Sequence, residues 1–170
     1  MISHLIFSTL VGLGLFFLHE LVLFPQVYIR PLAILLFYVS LKDSLPVAFT
    51  LAVLLGLLQD SYALPPFGVH LLSSLILVSV ARLARKTFLV KNSVFLVPAM
   101  LAALIFQELG VRLIFTLLGS WEAFALDLSW PRGLELIVTA LLTPVFFGLI
   151  RSLEYHLGRL GRRSRTPATW

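Results

Sequence analysis

The side chains able to do acid–base or metal chemistry are few and scattered. The 170 residues contain eight Asp and Glu, four His and no Cys. Without Cys there are no disulfides, thiolate metal sites or thiol nucleophiles. The sequence holds no G-x-S-x-G, no H-E-x-x-H and no glycine-rich phosphate loop. His19 and Glu20 are adjacent, so on a helix they point about 100° apart and would not chelate together. They read as interfacial anchors near the end of an apolar run. An enzyme would need His19, Glu20, Asp60, His70 and Glu135 to converge. Their spacing matches no catalytic motif, and the reading is a non-enzyme with no cofactor and no metal.

Glu108 and Arg112 have more positional logic. They stand four residues apart, acid before base, which is the favourable order on one helix face. Both lie inside a long apolar stretch, where charges are costly and face a bundle interior or water. The pair reads either as self-neutralising or as a polar contact for a partner helix. Asp60 closes an apolar run and reads as a helix terminator beside a turn. Glu135 reads as a first-turn acid that suits the helix dipole.

The elements that must carry these residues are membrane helices. The chain is 59% apolar and 12% charged, with a mean hydropathy of +1.01. Soluble domains are about 45–50% apolar and about 25% charged. A water-soluble enzyme of ordinary design is excluded, and a transmembrane β-barrel would give a far weaker apolar signal. The apolar residues suffice for about five spans of about 20 residues. The first run, Leu5 to Phe24, is broken by Pro25 and Gln26 and carries no cleavage signal, so it is expected to remain as a span. Two short runs follow, Pro31 to Leu41 and Pro46 to Leu58, separated by Lys42, Asp43 and Ser44. Neither reaches the length of about 17 residues that a straight span needs. They fit two bent spans, a hairpin entering from one side, or one broken helix. Phe67 to Ala81 comes next, then Ser93 to Gly119 with Pro98, Gln107, Glu108 and Arg112. An amphipathic connector, Ser120 to Trp130, carries Trp121 and Trp130, residues that favour a membrane surface. The last run is Pro131 to Ile150, with Pro144 inside; Thr143 or neighbouring helices would accommodate the carbonyl that Pro144 frees. Gly12, Gly14 and the Ala99–Ala103 spacing allow close helix approach. The expected organisation is one transmembrane domain over 1–150 and a basic tail over 151–170, its tip from Arg162 onward disordered.

Charge orients the bundle. Arg82, Arg85, Lys86 and Lys91 follow the fourth run, and Arg151, Arg159, Arg162, Arg163 and Arg165 follow the last. The connector between the last two runs has only Arg132, against Glu122 and Asp127. The positive-inside rule places both basic segments in the cytoplasm. Six spans then put both termini inside, whereas five would put the N-terminus outside; six is preferred. The net charge of +5 therefore reflects membrane topology and not nucleic-acid binding. Anionic lipid or a cytoplasmic protein are the other readings of the basic tail.

One stretch has a motif. Gly56 and Asp60 end the third run, Gly68 follows eight residues after Asp60, and His70 and Leu71 open the next run ahead of Arg82 and Arg85. Gly56 would let a neighbouring helix approach, Asp60 would cap the turn, and Gly68 would open the next helix. This arrangement resembles the rod shape-determining protein family MreD, as do the length, the short second and third runs and the basic loop. The segment Ser61 to Pro66 lacks the glycine usual there, and Phe67 stands where Leu is common. The resemblance implies a six-helix transmembrane bundle similar to the substrate-binding subunits of energy-coupling-factor transporters. It implies a non-enzymatic inner-membrane subunit of the wall-elongation complex that regulates peptidoglycan synthesis and rod shape. Its implied partners are MreC, then RodA and the penicillin-binding transpeptidase through the complex, the MreB filament, and membrane lipids. The alternative reading is a substrate-binding subunit of a vitamin-type transporter.

Overall fold

The computed structural model describes residues 2–18, 29–62, 67–88, 95–117 and 130–163. They form six helices and no strand: α1 (Ile2–Leu18), α2 (Pro31–Lys42), α3 (Leu45–Tyr62), α4 (Val69–Phe88), α5 (Leu96–Leu117) and α6 (Trp130–Arg163). Three are long and apolar enough to cross a membrane, through Leu45–Tyr62, Leu96–Leu113 and Arg132–Tyr155. The helices α1 and α2 carry shorter apolar stretches, Ile6–Phe17 and Pro31–Lys42. His19, Glu20, Pro25, Gln26, Lys91, Trp121 and Arg165 lie outside the described residues.

The shortest helix is the centre. Every residue of α2 from Pro31 to Ser40 is buried, as expected of a helix that is apolar on all sides. It packs against α1, α3, α4 and α6. Pro31 starts it at the first helical position, where the missing N–H costs nothing. The Ser40 hydroxyl, buried on this helix, donates to the Leu36 carbonyl at 2.6 Å. The Asp43 N–H caps the other end on the Val39 carbonyl at 2.8 Å.

The two short runs form an antiparallel helix pair, the arrangement that both two spans and a hairpin require. Only Asp43 and Ser44 separate α2 from α3. Leu35 and Leu55 both lie against Gly12 of α1, so α2 and α3 run side by side in opposite directions. One broken helix is thereby excluded. The third run is longer than its apolar core, since the helix takes in Leu45 and continues to Tyr62. The fourth also continues, through Arg82, Arg85 and Lys86 to Phe88, because Arg and Lys are good helix formers.

Contacts at the helix ends fix relative direction. The Phe16 and Tyr62 rings lie 5.3 Å apart, bringing the ends of α1 and α3 together. At the opposite end, Arg82 and Arg85 of α4 both donate to the Asp43 carbonyl, at 2.6 and 3.0 Å. Lys42 pairs there with Glu154 of α6. The last helix does not stop at Ile150; it runs unbroken to Arg163. Pro144 sits inside it, and the Thr143 hydroxyl donates to the Thr139 carbonyl at 2.9 Å.

Candidate functional site

Two constructions stand out: the turn between α3 and α4, and an ion cluster where α2, α5 and α6 meet. At the turn, α4 needs acceptors for the N–H groups of its first residues. Gly68 occupies the position before Val69, has φ +100°, and has no side chain to act as a cap. Asp60 supplies the cap from the preceding helix. Its Oδ1 accepts the His70 N–H at 2.9 Å and its Oδ2 the Leu71 N–H at 3.1 Å. The carboxylate is 5% exposed, and its charge faces the positive end of the α4 dipole.

Four residues before Asp60, Gly56 lies on the same face of α3. A Cβ there would stand 2.6 Å from the Leu71 Cα and 2.6 Å from the Ser74 Oγ. The Ser74 hydroxyl, one turn further along α4, donates to the Ala52 carbonyl at 2.9 Å. Gly56, Asp60 and Gly68 thus act as one device that clamps α4 onto α3. The His70 contribution to this clamp is its backbone N–H.

The ion cluster is built on Arg30, the residue just before α2. Its Nε meets Glu135 Oε1 at 2.7 Å and its Nη2 donates to Glu135 Oε2 at 3.3 Å. Its Nη1 meets Glu108 Oε1 at 2.7 Å. The Arg30 backbone N–H donates to Thr139 Oγ1 at 3.2 Å, and Thr139 is fully buried. One guanidinium therefore bridges two carboxylates from two helices, which suits its planar fork of donors. Arg132 lies 3.8 Å from Glu108 Oε2 and is the most exposed member.

These geometries revise two expectations. Glu135 lies in the second turn of α6, beyond the first-turn position that suits the dipole, and its carboxylate answers Arg30. Glu108 reaches across the bundle to α2, and Arg112 stands one turn further along α5. Arg30 belongs to no sequence motif. Its clue was a lone cation directly ahead of Pro31 and an apolar run too short to span.

A second cluster closes the other end of α2. Lys42 pairs with Glu154; the Tyr38 hydroxyl donates to Glu154 Oε2 at 2.9 Å, and Lys42 Nζ donates to the Tyr38 oxygen at 3.2 Å. Glu154 was the missed residue here, and the signal was present: it is the single acid among the tail cations from Arg151 to Arg165. Glu135 and Glu154 are 19 residues apart on α6, or about 28 Å along a helix. Arg30 and Lys42 are 12 residues apart, about 18 Å along α2, so their long side chains close the difference and the two clusters pin α2 to α6 at both ends.

Of the basic residues, Arg82 and Arg85 hold the Asp43 carbonyl, Lys86 lies on α4, and Arg159, Arg162 and Arg163 lie on the last turns of α6. Ala103 is fully buried in the core, while Ala99 lies partly exposed beside an apolar cavity between α4 and α5. Among the described residues, no group of three His, Asp or Glu side chains could hold a metal ion.

The model of the family described as rod shape-determining protein MreD matches residues 1–153. The chain belongs to the MreD family. It is a membrane protein of a family concerned with cell shape, and the matched segment contains the clamp and the whole Arg30 cluster. Comparison with curated proteins and with solved structures gives no match.

Proposed function

We propose that this MreD-family chain is a non-enzymatic subunit of the complex that elongates the bacterial wall, and that it holds MreC. Through MreC it would act on RodA and the penicillin-binding transpeptidase. The observation that carries this reading is the family match over residues 1–153. The architecture supports it. The centre of the bundle is filled by α2, braced at both ends, which suits a rigid support. A vitamin-type transport subunit would instead need an interior ligand chamber, and Ile34, Leu35 and Phe37 occupy that place at 0–1% exposure.

The end that gathers Lys42, Arg82, Arg85 and Arg151 is the cytoplasmic one by the positive-inside rule. Both termini then lie on that side of the bacterial inner membrane, and the Arg30 cluster faces the outer leaflet. The partner surface is the apolar α5–α6 face around Leu109, Leu113 and Leu134, which are 39–60% exposed. Arg132 would be its polar contact. The experiment is depletion in a rod-shaped host with complementation. Cells losing the protein should round up, and this chain should restore rods. Continued rod growth without it would defeat the reading.

A further inference from the structure

The helices α4 and α5 pack together, with close contacts toward one end and a cavity between them toward the other. At the close end, Gln107 Nε2 donates to the Ser73 hydroxyl. Gly110 is so close to Ile76 that a Cβ would stand 2.9 Å from its Cδ1. Toward the other end lies a cavity of ≈ 360 Å³, within the size range of small-molecule sites. Leu83, Phe95, Pro98, Ala99, Ala102 and Phe106 line it. Leu83, Phe95 and Phe106 are 46–66% exposed, so the cavity opens to the side of the bundle.

Its length and its charge identify the occupant. Phe95 and Phe106 are 11 residues apart, about 16 Å along α5. That is half of the roughly 30 Å hydrocarbon core, the depth of one leaflet. A partner's transmembrane helix would need a groove twice as long; one acyl chain needs this length. Leu83 is shared with a second cavity of ≈ 390 Å³ that Arg82 and Ser79 also line. Arg82 and Arg85 converge there on one carbonyl oxygen, that of Asp43. Among the described residues neither cation has a carboxylate partner within ion-pair distance, and the Arg82 Nε is buried without a hydrogen bond. The Asp43 carboxylate also acts on Arg82, which leaves one acid against two adjacent guanidinium groups, a net positive charge that an anion would neutralise.

We propose that the α4–α5 cavity and the Arg82–Arg85 pair form one binding site for an anionic phospholipid, acyl chain between Leu83 and Phe106 and headgroup phosphate at the guanidinium groups. The site adjoins the proposed partner face, since Phe106 is three residues before Leu109 on α5, but its evidence is separate from the reading of partners given above. The lipid would fill the gap between the helices and neutralise the cations that hold the α2–α3 turn.

The test uses the full chain purified in mild detergent and exchanged into mixed micelles with phosphatidylglycerol or phosphatidylcholine. Lipid retained by the protein is read by native mass spectrometry. Two cations beside an anionic lipid predict a preference of about thirtyfold for phosphatidylglycerol, falling to about fivefold in Arg85→Gln. Ala102→Trp fills the cavity and should abolish retention while the protein stays monodisperse. As a check independent of that variant, Leu83, on the α4 side of the cavity and away from the α5–α6 face, is replaced by a photo-reactive benzoylphenylalanine and irradiated in cells. An adduct of phospholipid mass supports the site. Equal retention of the two lipids, unchanged retention in Ala102→Trp, or an adduct with a protein or a second copy of the chain overturns it.

Discussion

Replacing Arg30 by Met should destabilise the bundle by about 3 kcal/mol. The guanidinium makes three contacts of 2.7–3.3 Å with two carboxylates. Removing one member of a buried ion pair costs about 3–5 kcal/mol, because the other is left as an uncompensated charge. The Arg30, Glu108 and Glu135 side chains are 19–24% exposed, which argues for the lower end of that range. Glu108 keeps Arg132 at 3.8 Å, whereas Glu135 has no other partner among the described residues. The loss should therefore fall mainly on Glu135. Neutralising it in the same protein, as Arg30→Met with Glu135→Gln, should restore about 1 kcal/mol or more, a coupling typical of directly contacting groups. The assay is the folded fraction across an SDS titration in mixed micelles, read by pulse proteolysis. A change of about 3 kcal/mol alters the folded-to-unfolded ratio by roughly a hundredfold. If Arg30→Met unfolds at the wild-type SDS fraction, the cluster does not hold α2. If Glu135→Gln fails to rescue, the cost does not come from an orphaned charge.

Three further outcomes follow from the same contacts. Gly56→Ala places a Cβ against the Leu71 backbone and should cost about 1–3 kcal/mol as overpacking, whereas Gly14→Ala, with nothing within 4 Å, should gain up to about 1 kcal/mol in helix propensity; the SDS titration separates them. Asp60→Ala removes the acceptors of two N–H groups and should cost about 1–2 kcal/mol, as for other lost helix caps. Asp60→Asn keeps one carbonyl acceptor and should fall between Ala and wild type in the same titration. The topology predicts that Ser61→Cys reacts with an impermeant thiol reagent in intact cells, and that Ser44→Cys reacts only after permeabilisation.

The local chemistry was more legible in the sequence than the long-range chemistry. Gly56, Asp60 and Gly68 lie within 13 residues of one another, so their spacing on a helix and turn already implied close approach and a cap. The helical membrane character followed from composition alone. The fate of the two short runs did not, because periodicity cannot tell a hairpin from a broken helix when both segments are apolar all round. That was decided by tertiary contacts, with Leu35 and Leu55 meeting on Gly12. The Arg30 cluster was hidden for a similar reason. Sequence rules reward partners three or four residues apart, so Glu108 invited pairing with Arg112. Arg30 and Glu135 are separated by 105 residues. Their encounter depends on α2 being short and central, which brings its leading cation level with Glu108 and the second turn of α6. Glu154 was obscured by the basic residues around it, although an isolated acid in such a segment calls for a cation elsewhere.

The role proposed for this chain is that of a membrane subunit of the wall-elongation machinery. The most direct measurement is purification from the native membrane in mild detergent, followed by mass spectrometry of the proteins and small molecules that come with it. The account predicts recovery of MreC, with RodA or its transpeptidase partner. Recovery of a nucleotide-hydrolysing transport module or a bound vitamin-like molecule, with MreC absent, would contradict it.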